Sequence, residues 1–215
     1  MRAPNLNILI LAAGLSTRLG VPKPLVRIQG ITLLRRALLL SASLRPRSIF
    51  AVVPSRCSSY RNQATGIRVL FVPNPKRAEG LASSVRIGIR RARFAGAIMI
   101  LPVDLYALNT HDLRRLLARR RSMAGLCAAA RIGTRGGVPL ILPARAFAAA
   151  AHLQGDSGFR DLLSSFTPPP ALVDILAAGL DIDTPQDLQA ARLWRHRPCG
   201  AASGFLPKRK IAKHA

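Results

Sequence analysis

The sequence predicts an α/β protein, a Rossmann-like three-layer fold in which helices cover both faces of a mostly parallel sheet. Two observations predict it. Short apolar runs alternate with stretches of helix length, and strands separated in this way form parallel sheets buried on both faces. The first run, residues 8–13, passes directly into a polar loop containing Gly14 and Gly20. Open α/β sheets hold their ligands at such a strand end.

Each element has its own reason. Residues 8–13 are continuously apolar and read as a buried parallel strand. Residues 31–44 have the length and the residue types of a helix. Residues 48–53 read as a strand closed by Pro54, and residues 68–72 as another closed by Pro73. Residues 80–93 place Leu81, Val85 and Ile89 on one helical face. Residues 97–101 are a buried strand ending at Pro102. Asn109 caps a helix through Arg121, since its side-chain oxygen can accept from the first amides. Residues 138–142 and 172–175 are later strands, and residues 184–194 a final helix with Pro185 in its first turn.

Composition bounds the class. A chain of 215 residues with 49% hydrophobic residues forms one substantial core and is not a disordered polymer. No apolar run approaches the roughly 18 residues that span a membrane. The apolar start is brief, carries Asn5 and Asn7, and runs into the glycine loop, so cleavage as a signal peptide would destroy that loop. Cys57, Cys127 and Cys199 are widely spaced, without C-x-x-C or zinc spacing. A reduced, cytoplasmic compartment is expected.

The charge is extreme: 33 Lys and Arg against 9 acids, a formal +24. After Asp187 no acid remains, so residues 1–195 are expected to form the domain and residues 196–215 a basic, flexible tail. Such a charge attracts polyanions. A solvated arginine-rich surface is the favoured reading, because neither zinc-finger spacing nor an aromatic RNA-binding signature accompanies it.

The opening loop carries Ser16, Thr17, Arg18, Gly20 and Lys23 after Leu11, Ala12, Ala13 and Gly14. Glycine lets backbone approach a bulky ligand, while amides, one arginine and one lysine surround it. This is a cradle for phosphates, but neither a P-loop nor a dinucleotide fingerprint. Asp104 follows the apolar run at 97–101, and a carboxylate there suits Mg²⁺, which prefers oxygen ligands and keeps company with phosphates. Asp181 and Asp183 lie two apart, on the same side of an extended segment. They either share a cation or cap the helix that begins at Pro185.

Leu11, Ala12, Ala13, Gly14, Ser16, Arg18, Leu19, Gly20 and Lys23 fill a pattern close to L-A-A-G-x-S-x-R-(M/L)-G-x-x-K. The segment resembles the start of the molybdopterin-guanine-dinucleotide-synthase-like NTP transferases of molybdenum cofactor biosynthesis. Asn74, Pro75, Glu79, Gly80, Leu81, Ser84, Val85, Arg86 and Gly88 resemble a stretch of their cytidylyltransferase branch. Gly137, Val138 and Pro139 resemble a G-x-P element, and residues 155–160 a G-D-x-G-x-R element. Three positions depart from the family pattern: Tyr106 stands for the usual proline, Phe159 for the usual alanine, and Val138 for a histidine found in some relatives.

The resemblance implies a nucleotide-diphospho-sugar-transferase-like fold and a reaction in which CMP passes from CTP to a molybdopterin-type cofactor with release of pyrophosphate. It assigns Lys23, Arg18 and Asp104 to catalysis, and Leu11, Ala12, Ala13, Gly14, Arg18, Lys23, Ser83 and Ser84 to the nucleotide. Asp183, Gly137, Pro139 and Asp156 fall to the acceptor, and Asp104 with Asp181 to Mg²⁺. Ser83 and Ser84, at a helix N-terminus, would either grip a base or ribose or cap the helix. A molybdoenzyme or its chaperone is the implied protein partner. Another NTP or a sugar phosphate acceptor is the alternative within the class. A basic nucleic-acid-binding module on a degenerate transferase fold is the alternative outside it, against which the intact Lys23, Asp104 and Asp181 argue.

Overall fold

The computed structural model describes residues 3–123, 125–154 and 159–194. β1 (Ala3–Leu11) leads through the polar loop to a small hairpin, β2 (Arg27–Ile28) and β3 (Ile31–Thr32), and then to α1 (Leu33–Ser43). β4 (Pro46–Pro54), the short α2 (Ser58–Arg61) and β5 (Leu70–Asn74) come next, followed by α3 (Leu81–Ala92), β6 (Ala97–Pro102) and α4 (Thr110–Ser122). β7 (Ala128–Ile132), β8 (Arg135–Pro143), α5 (Phe147–Ala151), α6 (Phe159–Ser164), β9 (Ala171–Val173) and α7 (Pro185–Leu193) complete the order.

Seven strands form one sheet in the order β5-β4-β1-β6-β8-β7-β9. Only β8 runs against its neighbours β6 and β7. The apolar runs are continuous because both faces of the strands are buried. Ile8, Ile10, Met99 and Leu101 pack with α1 and α4 on one face. Leu9, Leu11, Ile98 and Ile100 pack with α3, α5 and α6 on the other. At Gly88 a Cβ would lie 2.6 Å from both Leu9 methyl carbons, so α3 seats closely against β1 and a larger residue there would displace the Leu9 side chain.

The expected helix over 31–44 starts two residues later. Ile31 and Thr32 pair with Ile28 and Arg27, and the Thr32 hydroxyl then accepts from Arg35 N at 3.1 Å to cap α1. Asn109 caps α4 as expected, and Asp112 reciprocates to Asn109 N in a capping box. α2, β7, α5, α6 and the small hairpin were not expected. The core of β7 is three alanines, small residues that favour helix in isolation. They lie in the sheet because β8 and β9 flank them with matching backbone donors and acceptors. No helix among the described residues is long and apolar enough to cross a membrane. The basic segment expected from residue 196 onward lies outside the described residues.

The chain leaves β1 toward β4 on one side and later returns to place β6 on the other. The carboxyl ends of β1 and β6 are therefore a point where strand order reverses, the crevice in which such sheets bind ligands. Val103 N donates to Leu11 O at 3.3 Å, so the two strand ends stay joined as their loops diverge.

Candidate active site

Three loops meet above this crevice. The first follows β1. Ser16 adopts a positive φ of 56°, and its carbonyl accepts from Leu19 N and Gly20 N, each at 3.1 Å. The Ser16 hydroxyl accepts from Lys23 N at 3.1 Å. One serine therefore curls the loop and fixes where the lysine departs. At Gly14 a Cβ would meet nothing within 4 Å, so the loop opens onto free space above the strand end.

Lys23 points across the crevice. Its ammonium lies 3.2 Å from Asp104 Oδ2 and 2.6 Å from Asp183 Oδ1. Its side chain is 15% exposed, so these charges meet where water screens them weakly. Burial alone would lower the lysine pKa; the two carboxylates outweigh it and raise the pKa above its ordinary value. The ammonium is thus fully charged at neutral pH. Arg18 sits at the rim, 72% exposed, with its guanidinium 3.3 Å from Asp183 Oδ2.

Asp104 occupies the second loop, directly after β6. Tyr106 N donates to the Asp104 carbonyl at 2.9 Å, a bond that a proline at this position would lack. The departure at 106 therefore tightens the turn by a hydrogen bond in place of ring constraint. The Tyr106 ring is buried and meets Trp194, just beyond α7, edge-on with centroids 6.1 Å apart. This contact ties the Asp104 loop to the last helix.

The third loop carries Asp181 and Asp183. Neither caps the following helix. Thr184 Oγ1 accepts from Asp187 N, and Asp187 Oδ2 accepts from the amides of both Asp183 and Thr184. The capping alternative thus belongs to Thr184 and Asp187, and the carboxylates of 181 and 183 face the crevice. Partial burial, then the charges of Asp104 and Asp183, push the Asp181 carboxyl above its ordinary range. Its ionisation therefore works against the fold. Between the unfolded value, about 3.9, and the raised folded value, the unfolded chain releases the proton first and stability falls as pH rises. Asp181→Asn should raise the Tm of the ligand-free protein at pH 7, and the difference should vanish well below pH 4. Thermal melts across that range check it; a lower Tm at pH 7 would contradict the crowding of charge.

The remaining expected residues fall in two groups. Leu11, Ala12 and Ala13 are buried beneath the loop and set its backbone path; Ala12 N donates to Val52 O at 2.9 Å. Ser83 and Ser84 differ from the expectation that they grip a base or cap the helix. They are 3% and 5% exposed, and Asn74 Nδ2 donates to both hydroxyls at 2.9 and 3.0 Å. The serines tie the end of β5 to α3 and hold the intervening turn, while Gly80, with φ 90°, opens the helix. Gly137 and Pro139 are buried in β8, near the end of β6, and only Val138 between them is half-buried. They shape the strand beside the crevice and present no open side chain to it. Asp156 lies outside the described residues.

The sequence alone missed the Lys23–Asp183 contact and the role of Ser16 in shaping the loop. Among the described residues no group of three or more His, Cys, Asp or Glu is placed to hold a metal ion by itself. A cavity of ≈ 580 Å³ beside α3 and α5 lies elsewhere; its Arg86 is engaged by Glu79 at 2.5 Å and by Leu153 O at 2.7 Å.

A glycine loop at the end of the first strand, with its lysine set against carboxylates from two other loops, marks the nucleotide-handling class of α/β domains. The chain belongs to the MobA-like NTP transferase domain family, which matches residues 8–171. The fold is that of Rv0371c from Mycobacterium tuberculosis H37Rv, at 25% identity and a TM-score of 0.70, over 87% of this chain and 97% of that one. A further structure of Rv0371c, a complex with manganese, is 22% identical with a TM-score of 0.70, over 88% and 98% of the two chains. Molybdopterin-guanine dinucleotide biosynthesis protein A from Archaeoglobus fulgidus shares the fold at 15% identity and a TM-score of 0.67, over 86% and 96%. A CMP:2-keto-3-deoxy-manno-octonic acid synthetase complexed with CTP does so at 14% identity and 0.69, over 87% and 96%. No curated protein matches the chain by sequence. The expected mostly parallel, three-layer nucleotide-diphospho-sugar-transferase-like fold is the one observed, and the chain is a nucleotidyltransferase by family.

Proposed function

We propose that this chain transfers CMP from CTP to a molybdopterin-type cofactor and releases pyrophosphate, with Mg²⁺ as the metal. The observation that carries the reading is Lys23, held by two acidic loops at the mouth of an open glycine loop. A terminal phosphate oxygen of the acceptor attacks the α-phosphorus of CTP. The bond from that phosphorus to the bridging oxygen breaks, and pyrophosphate leaves with the electron pair. A phosphate monoester has a second pKa of about 6, so the acceptor is largely dianionic at pH 7 and needs little help from a general base. The protein's work is alignment and charge neutralisation.

In this reading Lys23 and Arg18 neutralise the triphosphate and the departing pyrophosphate. Asp104, Asp181 and Asp183 outnumber those two cations, and their crowding raises the Asp181 pKa. These oxygen donors fit a hard divalent ion, for which one or two carboxylates suffice beside substrate phosphates. Asp104 and Asp181 would hold it, and when bound it supplies charge neutralisation at the phosphates. Asp183 then orders the loop and meets the acceptor, together with Asp156 and the strand shaped by Gly137 and Pro139.

Base choice rests on the turn after β5, which Asn74, Ser83 and Ser84 hold rigid. Among proteins of this fold, one is named for molybdopterin-guanine dinucleotide synthesis and another holds CTP. Pyrophosphate release with each NTP, with and without molybdenum cofactor, tests the reading. CTP should outcompete GTP, and release should depend on the cofactor. Equal use of both nucleotides, or a preference for GTP, would move the chain to another branch.

A further inference from the structure

We infer that the sheet edge opposite the active site is a binding surface for single-stranded nucleic acid. The charge of this molecule is not only large but polarised. Every described carboxylate except Asp161 follows the carboxyl end of a strand or opens the helix after it. The turns leading into β4, β5, β6 and β7 hold no described acid, and arginines crowd them instead. Arg45 and Arg47 flank the start of β4, Arg68 precedes β5, Arg91 lies in the last turn of α3 with Arg93 just beyond it, and Arg119 lies in the last turn of α4; all are exposed. Helices that return from parallel strands end beside the strand starts, so the carboxyl-terminal arginines of α3 and α4 join this edge.

The topology turns these separate runs into one belt. From β5 to β7 the sheet crosses five strand spacings, about 24 Å at ~4.8 Å each. That is the reach of several nucleotides of an extended strand. Phe94 stands in the belt with 67% of its surface exposed, and the Arg93 guanidinium lies 5.2 Å from its ring centroid. An exposed ring beside arginines offers a base a stacking face and its phosphate a cation, the combination that holds single strands without sequence preference. A membrane surface would call for a continuous apolar face, whereas the belt offers Phe94 and Leu70, at its end beside Arg68, as separate exposed groups among guanidinium groups. The placement leaves the crevice above Lys23 open, so transfer and polyanion binding can occur together.

The test is fluorescence anisotropy of the full chain with a labelled 20-nucleotide oligo(U), measured between 50 and 200 mM salt. The triple variant Arg91→Ser, Arg93→Ser, Arg119→Ser should bind about tenfold more weakly or worse at the lower salt, and its log–log salt slope should be smaller by about two, at ~0.7 per lost contact. Phe94→Ala should weaken binding about fivefold or more. The charge-matched variant Arg56→Ser, Lys76→Ser, Arg77→Ser, drawn from the other edge, should change neither affinity nor slope. Binding by the first variant that equals wild type would overturn the proposal, as would equal losses in both triple variants. So would edge-dependent binding to phosphatidylglycerol vesicles without binding to the oligonucleotide.

Discussion

Lys23→Ala is expected to lower turnover by about 10² or more, because it removes a preorganised cation from the place where charge develops on the leaving pyrophosphate. The effect should lie mainly in kcat. Asp104 and Asp183 hold the ammonium from two loops, so it needs little reorganisation to act. The variant also leaves those carboxylates without their shared counter-ion, so they attract a divalent cation more strongly and the Mg²⁺ requirement should move to lower concentration. Steady-state rates against Mg²⁺, with thermal melts to establish folding, check both effects. Unchanged turnover in the folded variant would remove Lys23 from the chemistry and leave it a loop-to-loop tether.

Asp104→Asn and Asp181→Asn should each abolish most activity while the protein stays folded, and the double variant should lose little more than either alone. The residues arise from different sheet segments, yet the charge of Asp104 is felt at Asp181. If both hold one ion against the triphosphate, the second removal acts on an ion already misplaced, and losses of groups that act as a unit do not add. Asp183→Asn should be milder, because Asp183 is proposed to order the loop and meet the acceptor, and does not hold the metal. Turnover against Mg²⁺ for the two single variants and the double decides the point. Strictly additive losses, with no change in metal dependence, would separate the two carboxylates.

The parts of the site that were legible in the sequence are local. The loop after β1 carries its glycines, Arg18 and Lys23 in one unbroken stretch after a continuous apolar strand, and Asp104 follows another. The pairing of Lys23 with Asp183 spans 160 positions and depends on the loop before α7 meeting the first loop, which no local pattern encodes. Ser83 and Ser84 show the reverse case. Position at a helix start predicts open hydroxyls, but Asn74 at the end of β5 draws both inward. Tyr106 departs from the family pattern, and its backbone N–H supplies the turn constraint that proline would have given. β7 was illegible because three alanines carry no strand signal of their own. The excess of arginine was plain in the sequence, but the gathering of arginines on an edge without acids is a product of helices returning to the strand starts.

Transfer itself is tested most directly by isotope. The protein is incubated with CTP labelled at the α-phosphorus, or separately at the γ-phosphorus, together with Mg²⁺ and molybdopterin-type cofactor. The account predicts that the α-label joins the cofactor and the γ-label leaves as pyrophosphate, in equal amounts and only when both substrates are present. Appearance of the α-label as free CMP, or of the γ-label as inorganic phosphate with none on the cofactor, would mean that this crevice hydrolyses nucleotide and does not transfer it.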